Sequence, residues 1–538
     1  MNFKEEIILS TNNIDVLIVG AGPVGLFCAN ELSRHGMTYR IIDKKSTLSE
    51  HSKALGIHIR TLDVLEDCGF ITEVLDQGHQ VEGVLFKSNG KTIVNATFAD
   101  IEAKRHFLID LPQNKTEAIL YQGLQDKKAT VEWNTELTHL TQSPTEITAT
   151  IKKPNNKIEL CNATWLIACD GAHSTVRHQV HAEFKGSAYQ QAWWLADLLI
   201  DWEVPDNRMA IYISKNGPLA CFPMGNKRYR LVMTAEEGST SDPSLEDVAR
   251  VFAKRCSDPA QLSQPIWLSR FTIHHRQIQH YRHDRVFFAG DAAHIHSPMG
   301  GQGLNTGIQD VYNLVWKLAL VDQKKAKPEL LDSYHEERFP VGHEVLKKTD
   351  AMTRMILLKN PLAIAARNTF IELITSFKTI KNELAKDIAE LAISYAKSPI
   401  VYQSGRIKHF KAGTYLPEFK LNDSTTDNTV SSTSITQGTT HHCFIFAGTK
   451  TTKIPNLVQI AEVLSEKYSK SIKVHLILNQ KSDSKSDTIQ TWIDGQQIQQ
   501  QFKIIKPTLI LVRPDKYIGL LKTSINTKTV LDEFYLLP

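Results

Sequence analysis

The sequence predicts an α/β protein in which an open parallel unit carries an inserted antiparallel sheet, a helical segment and a small α/β tail. Three observations predict it. A glycine-rich turn, GAGPVG, sits between a buried strand and a helix near the start; an alternating, aromatic-rich run extends from Phe184 to about His275; and helical periodicity dominates from Thr306 to about Lys397. At 538 residues the chain has room for about three domains and a large core.

The composition excludes several classes of function. Lys plus Arg number 62 against 58 Asp plus Glu, a formal charge of +4 diluted over the whole chain. No basic stripe with interleaved aromatics stands out, so there is no electrostatic case for nucleic acid. The seven cysteines are scattered without a C-x-x-C, which argues against structural zinc and a dithiol centre, and no metal site is expected. The start, MNFKEEIILSTNN, lacks the apolar run of a secretory signal, and no stretch reaches the roughly 18 to 20 apolar residues that span a bilayer. The expectation is a cytoplasmic, reduced protein without stable membrane insertion.

The first ordered pattern is IDVLIVGAGPVGLFCANELSRHGMTYRIIDK, Ile14 to Lys44. A buried strand, Val16 to Val19, runs into Gly20, Gly22 and Gly25. A helix follows whose apolar residues Val24, Leu26, Phe27 and Leu32 recur at helical spacing. Gly36 stops it, and a second strand, Tyr39 to Ile42, ends on Asp43. This Rossmann-like βαβ unit has the G-x-G-x-x-G spacing of a dinucleotide-binding turn: the first glycine allows the bend, the second lets backbone amides approach a pyrophosphate, and the third lets helix and strand pack. Phosphates then meet the positive end of a helix. Asp43 stands 18 positions after Gly25, close to the roughly 20 expected of an acid on a ribose hydroxyl. The turn alone leaves FAD and NAD both open.

A second motif is ATWLIACDGAHSTVR, Ala163 to Arg177. A strand-like run to Cys169 ends at Asp170 and Gly171, and Ser174, Thr175 and Arg177 open a short helix. Read alone it is an ordinary strand end with an Asx-turn. From Phe184 onward QAWWLADLLIDWEV, MAIYIS and YRLVMTAE read as antiparallel strands, with Trp193 and Trp194 on opposite faces. The third motif is FFAGDAAHIHSPMGGQGLNTGIQD, Phe287 to Asp310. Asp291 caps the strand Val286 to Ala289, and Gly300, Gly301, Gly303 and Gly307 flank the start of a helix from about Thr306 to Leu320. An acid there suits a polyol chain, and the glycines let backbone approach a ligand. GQGLNTG is not a second nucleotide fingerprint, since it lacks a βαβ unit and a later ribose acid.

Pro340 and Pro361 are expected to break the helical run. Asn422 to Thr440 is Ser/Thr-rich without apolar periodicity and reads as a mobile loop or linker. The tail then reads as a strand (Cys443 to Phe446), a helix (Leu457 to Tyr468), a strand (Lys473 to Leu478), a polar loop (Gln480 to Thr488), two strands around PTLILVRPDKYIGLL and a last helix (Thr527 to Tyr535). The expected segments are therefore 1–183, 184–275 (inserted sheet), 276–400 (return to the first unit and helices) and 401–538.

Taken in this order, GAGPVG, CDGAHSTVR and GDAAHIHSPMGGQGLN resemble the motifs of class A flavoprotein monooxygenases, the para-hydroxybenzoate hydroxylase fold family. HSKALGIHIRTLDVLEDCG (His51 to Gly69), LPQNKTEAIL (Leu111 to Leu120) and SYHEERFPV (Ser333 to Val341) match as well, so the likeness covers about residues 14 to 400. GTYLPEFKLND and LILVRPDKYIGLL resemble the thioredoxin-like tail of the phenol hydroxylase and 3-(3-hydroxyphenyl)propionate hydroxylase branch. Without a C-x-x-C that tail is expected to be redox-silent.

The resemblance implies an FAD-binding domain, FAD as cofactor, NADPH or NADH as co-substrate, and a small aromatic substrate together with O2. It assigns the pyrophosphate to Gly20, Gly22 and Gly25, the adenosine ribose to Asp43, and the phosphate or ribityl region to Gln113. Asp291 would bind the ribityl chain, and Pro298, Gly300, Gly301, Gly303, Leu304 and Asn305 would line the isoalloxazine. Asp170, Gly171 and Arg177 match a motif linked to both FAD and NADPH, while Lys53 and Arg60 match a loop near the flavin. The implied reaction is hydroxylation of a phenolic ring through a flavin C4a-hydroperoxide, the cofactor carrying the chemistry in a dry pocket.

Candidates for a base that deprotonates a phenol are Tyr189, Tyr212, His275, His294 and His296, with no choice among them. Substrate walls are expected at Tyr212, Phe222 and Met224. A polyketide- or antibiotic-modifying monooxygenase of tetracycline or rifamycin type is the alternative within the class; a non-oxygenating flavin reductase or oxidase is the alternative outside it. A homodimer is one reading of the helices between Glu344 and Lys397, but an intramolecular apolar face reads the same way.

Overall fold

The computed structural model describes residues 7–9, 14–50, 52–88, 90–101, 103–298, 300–358, 360–376, 378–426, 428–450, 454–480, 489–494, 497–523, 525 and 535. The expected polar loop 481–488 and all but Tyr535 of the expected last helix lie outside them. The chain forms two compact units. The first comprises Met1–Asn30, Thr38–Val311 and Pro340–Ala392; the second comprises Glu31–Met37, Tyr312–Phe339 and Ile393–Pro538.

In the first unit the strand Ile14–Val19 lies between Tyr39–Ile42 and Ile158–Ala168, and the last of these pairs with Val286–Phe288, all in parallel. Val16, Leu17 and Ile18 are buried, the continuous apolar run of a strand covered on both faces. Parallel pairing brings three strand ends to one edge of the sheet. Gly20, Asp170 and Asp291 follow those ends, so motifs far apart in sequence converge through strand register.

The inserted sheet runs in the order His294–Ile295, Ala260–Ile278, Phe184–Trp202, Arg228–Thr234, Gly217–Pro223, Arg208–Ser214, Gly83–Ser88, Lys91–Thr97. The hairpin at 83–97 is an addition that the expected boundary at 184 does not include. It joins by parallel pairing of Leu85 with Ala210. Trp193 and Trp194 do point to opposite faces. Trp194 packs with Leu198, Tyr212, Leu231 and Phe252, beneath the helix Leu245–Arg255, whereas Trp193 packs with Ile213, Ala220, Val232 and Ile356.

Two expectations are corrected. Pro340 lies inside one continuous helix, Asp332–Ile356, and only Pro361 marks a new start, at Pro361–Ser376. A proline deletes one backbone donor, and the flanking turns carry the helix past it. The Ser/Thr-rich segment is also ordered: Lys420–Asp423 pairs with Thr429–Ser431, followed by the short helix Ser432–Ile435. Asp423 Oδ1 accepts from the amides of Thr425 (2.8 Å) and Thr426 (3.0 Å), so polar side chains build the turn that apolar periodicity cannot announce.

In the second unit His441–Phe446 pairs in parallel with Ile472–Leu478 and antiparallel with Thr508–Val512, which pairs with Ile518–Thr523. Its core contains a buried ionic cluster. Glu337 accepts from Arg513 Nη1 (2.6 Å), Lys317 Nζ (2.8 Å) and Asn313 Nδ2 (2.7 Å), and Arg513 also pairs with Asp515. The seven cysteines are free, and among the described residues no helix is long and apolar enough to cross a membrane. Removing one partner of a buried ion cluster strands the others: Glu337→Gln is expected to lower the unfolding free energy by about 3–5 kcal/mol, measured by urea denaturation.

Candidate functional site

At the first strand end the three glycines divide their tasks sterically. A Cβ on Gly25 would stand 1.9 Å from Gly20 O, and one on Gly20, at φ +104°, would stand 2.4 Å from Cys169 O. One on Gly22 would meet nothing within 4 Å. Two of the glycines therefore permit close packing, and the third leaves open space at the start of the helix Pro23–Arg34, where backbone amides and the dipole favour an anion. Asp43 is buried, and its carboxylate accepts from the amides of Ala21 (2.7 Å) and Lys45 (2.8 Å), so it shapes the turn directly.

At the second strand end Asp170 Oδ2 accepts from Val176 N at 3.1 Å, and Ser174 caps the helix Thr175–Gln179 through Arg177 N. Burial raises the Asp170 carboxyl above its ordinary range. The buried Arg177 donates to Ala172 O (2.7 Å) and Ala292 O (3.1 Å), tying this loop to the third strand end, and lies over the Phe184 ring. At the third end Asp291 keeps solvent access while neighbouring groups crowd its carboxyl. Desolvation raises its carboxyl, against the opposing charges of His294 and Lys53. His294 pairs with Asp310 at 2.8 Å, and that carboxylate also accepts from Gly290 N.

A further loop, 52–58, is fastened from several directions. Asn305 is buried: its Oδ1 accepts from His58 N (2.9 Å), and its Nδ2 donates to Gly56 O (2.8 Å) and Gly301 O (2.9 Å). Gln113 Oε1 accepts from Ala54 N at 3.0 Å, and Gln113 N donates to Ser52 Oγ at 2.7 Å. From the inserted sheet, Arg230 forms a bidentate pair with Asp197 (2.8 and 2.7 Å) and donates to Lys53 O at 3.0 Å. Beside them Asp110 is buried with no partner for Oδ2 among the described residues, and burial pushes its carboxyl up to about 8 against the pull of Arg230. His58 and His296 flank the 300–303 loop, and burial pushes each down to about 4, leaving both neutral.

The structure thus brings together Gly20, Gly22, Gly25, Asp43, Asp170, Gly171, Arg177 and Asp291 at the strand ends, and Lys53 and Gln113 with Gly300, Gly301 and Asn305 around the fastened loop. Arg60 lies in the first turn of the helix Ile59–Asp67, and its guanidinium pairs with Asp63 at 3.1 Å. Tyr212 and Phe222, expected in one substrate wall, lie on opposite faces: Tyr212 alternates with Ile211 and Ile213, points under the 245–255 helix and donates to Asp258 Oδ2 at 2.6 Å, whereas Phe222 packs with Trp193 and Tyr189. Sequence reading missed Arg230, Asp197, Asp110 and His58. Each lies in an ordinary-looking strand or loop, and only the motif HSKALGIHIR gave a signal that included one of them.

The open position at Gly22 is expected to tolerate a methyl group in the fold but not against a ligand. Gly22→Ala should melt within about 1 °C of wild type, a change of about 1 kcal/mol or less, and lose FAD affinity in fluorescence titration; Gly25→Ala should fail to give folded protein. For Asp110, the folded carboxyl holds its proton up to about pH 8 while the unfolded one releases it near 3.8, so its contribution to stability falls as pH rises through that window. Asp110→Asn is expected to flatten the decline of melting temperature between pH 5 and 8.

Comparisons with known proteins agree with this geometry. A family model described as "FAD binding domain" matches residues 13–349. The chain is 33% identical over 399 residues to 6-methylpretetramide 4-monooxygenase of Streptomyces rimosus, spanning 72% of this chain and 71% of that one. It is 34% identical over 350 residues to pentachlorophenol 4-monooxygenase of Sphingobium chlorophenolicum, spanning 64% and 65% of the two chains. Among solved structures, the OxyS anhydrotetracycline hydroxylase from Streptomyces rimosus superposes with a TM-score of 0.75 at 27% identity, covering 96% of this chain and 97% of that one. The chain belongs to this family: it is an FAD-binding-domain protein of the class A flavin monooxygenases.

Proposed function

We propose that the chain hydroxylates a phenolic ring, with NADPH or NADH as reductant and O2 as oxidant. The observation that carries this reading is the convergence at one sheet edge of an anion-accepting turn, a cleft carboxylate at Asp291 and the glycine loop 300–303, beside an apolar sheet face. In this reading Gly22 admits the pyrophosphate to the helix start, Asp43 reaches the adenosine ribose, Asp291 accepts from the ribityl hydroxyls, and Pro298, Gly300, Gly301, Gly303, Leu304 and Asn305 line the ring system. When bound, FAD supplies the redox and oxygen chemistry. Phe222 and Met224, with Trp193 behind Phe222, make a wall that excludes water.

Proton handling is limited by what the side chains already do. Tyr189 donates to Asp350, and burial with that carboxylate pushes its hydroxyl up to about 12, so it stays protonated. His294 is engaged by Asp310, and His296 is neutral with Nδ1 on Ser297 O at 3.1 Å. A substrate that ionises readily relieves the protein of that task, which favours fused-ring phenols as a second reading of the substrate, alongside the likeness to tetracycline-pathway enzymes. The strand order of the tail supports a thioredoxin-like reading. The free cysteines support a cytoplasmic one. The exposed Leu362, Phe370 and Leu373 on one helix support a homodimer, which light scattering tests.

The deciding experiment follows NAD(P)H oxidation by FAD-loaded protein with single-ring and fused-ring phenols under oxygen-18. Ligand-stimulated oxidation with one labelled oxygen in the product is expected; ligand-independent oxidation that yields only hydrogen peroxide across the panel overturns the reading. Asp291→Ala is expected to weaken FAD binding about tenfold or more, the loss of roughly 1.4 kcal/mol, measured by fluorescence titration.

A further inference from the structure

On the face of the inserted sheet turned away from Phe222, a cavity of about 230 Å³ opens between the turn after Arg208–Ser214 and the end of the helix Leu245–Arg255. Its lining includes Ser214, Lys215, Asn216, Lys254, Arg255 and Lys87. Two of these cations are already answered. Lys87 contacts both oxygens of Asp258 at 2.7 Å, where Tyr212 also donates, and Lys254 meets Glu236 at 3.1 Å.

Arg255 is different. It is only 9% exposed, and among the described residues no carboxylate lies within ion-pair distance of it or of Lys215. Its Nη1 donates to Pro218 O and Thr234 O, both at 2.9 Å, while its Nε has no partner. The carbonyls satisfy hydrogen bonds without cancelling the charge. Burial pulls the guanidinium down to about 10, so it remains a cation at neutral pH. The site is also built around it: Gly217, at φ +106°, leaves the guanidinium the space that a side chain would fill, a Cβ there falling 3.2 Å from Arg255 Cζ. Glu236, already paired with Lys254, is the opposing charge that Arg255 feels without touching it; a buried guanidinium with no ion-pair partner thus stands beside a polar cavity, and its planar fork suits tetrahedral oxyanions.

We propose that this cavity binds a phosphoryl group or a similar small oxyanion, held by Arg255 and Lys215 with Lys254 at its rim. The site is independent of the FAD cleft, so it stands or falls apart from the proposed reaction.

The test is isothermal titration of the FAD-loaded protein with inorganic phosphate in chloride buffer, accompanied by melting curves. One saturable site and a phosphate-dependent rise in melting temperature are expected. Arg255→Met should weaken binding about tenfold or more, as loss of a charged hydrogen bond of roughly 1.5–3 kcal/mol implies. Lys215→Ala with Lys254→Ala removes only exposed side chains, so it keeps the fold if Arg255→Met does not, and should weaken binding several-fold. Adenosine 2′,5′-bisphosphate identifies the source: tighter, competitive binding points to a nucleotide-borne phosphoryl group, and equal or weaker binding to the free ion. No binding of phosphate by the wild type, or binding unchanged in the lysine pair variant, overturns the proposal.

Discussion

The approach of Gly25 to Gly20 is the contact on which the remainder of the site depends. With a methyl group impossible at 1.9 Å, the helix Pro23–Arg34 starts directly against the end of the first strand, and its free amides face the cleft. The same constraint recurs where Gly307 packs on Val24 and Gly290, a Cβ at Gly307 falling 2.6 Å from Val24 Cγ2. Two helix starts are thereby held close to three strand ends. What the first and third motifs share is backbone exposure made possible by missing side chains, with acids only at the edges.

A cleft lined by backbone must be held in shape by something less yielding than a loop. Here side-chain amides and one buried ion pair do it: Asn305 bridges His58 N, Gly56 O and Gly301 O, Gln113 bridges Ala54 N and Ser52 Oγ, and Arg230 binds Lys53 O while paired with Asp197. Arg230 belongs to the inserted sheet and the 52–58 loop leads into a small separate sheet, so the two share one fastening. The neutral Asp110 lies beside this arrangement and adds no negative charge to it below about pH 8.

Much of this was legible in the sequence, for physical reasons that particular residues make plain. Gly20, Gly22 and Gly25 between a buried strand and a helix announce themselves because backbone geometry forbids most alternatives. Trp193 and Trp194 were assignable to opposite faces because strand period is two. The failures have the same origin. Tyr212 and Phe222 share that period, and nothing local says that they fall on opposite faces; that comes from the pairing of Arg208–Ser214 with Gly217–Pro223. The hairpin at 83–97 joins a sheet whose other strands begin a hundred residues later, and pairing at that distance leaves no local trace. Arg230, Asp197 and Asp110 look like routine polar positions in strands, because what distinguishes them is burial against residues remote in sequence. Pro340 shows the converse, a strong local signal overridden by the helix that surrounds it.

The two faces of the inserted sheet divide the molecule's chemistry. Around Trp193, Ile213, Val232 and Ile356 the Phe222 face is apolar, and the charge it buries is paired, Arg230 with Asp197; Tyr189 and Asp350 at its edge satisfy one another. The opposite face collects charge: Lys87 with Asp258, Glu236 with Arg250 and Lys254, and the unanswered Arg255. Such a division suits a protein whose bound cofactor does the bond-making, because an apolar wall whose buried charges are paired keeps water out. Alternation along a strand is the cheapest way to build both surfaces at once, since each pair of successive residues supplies one to either side. On the Phe222 face the buried guanidinium of Arg230 is neutralised by Asp197, so the charge placed there serves to fasten the 52–58 loop.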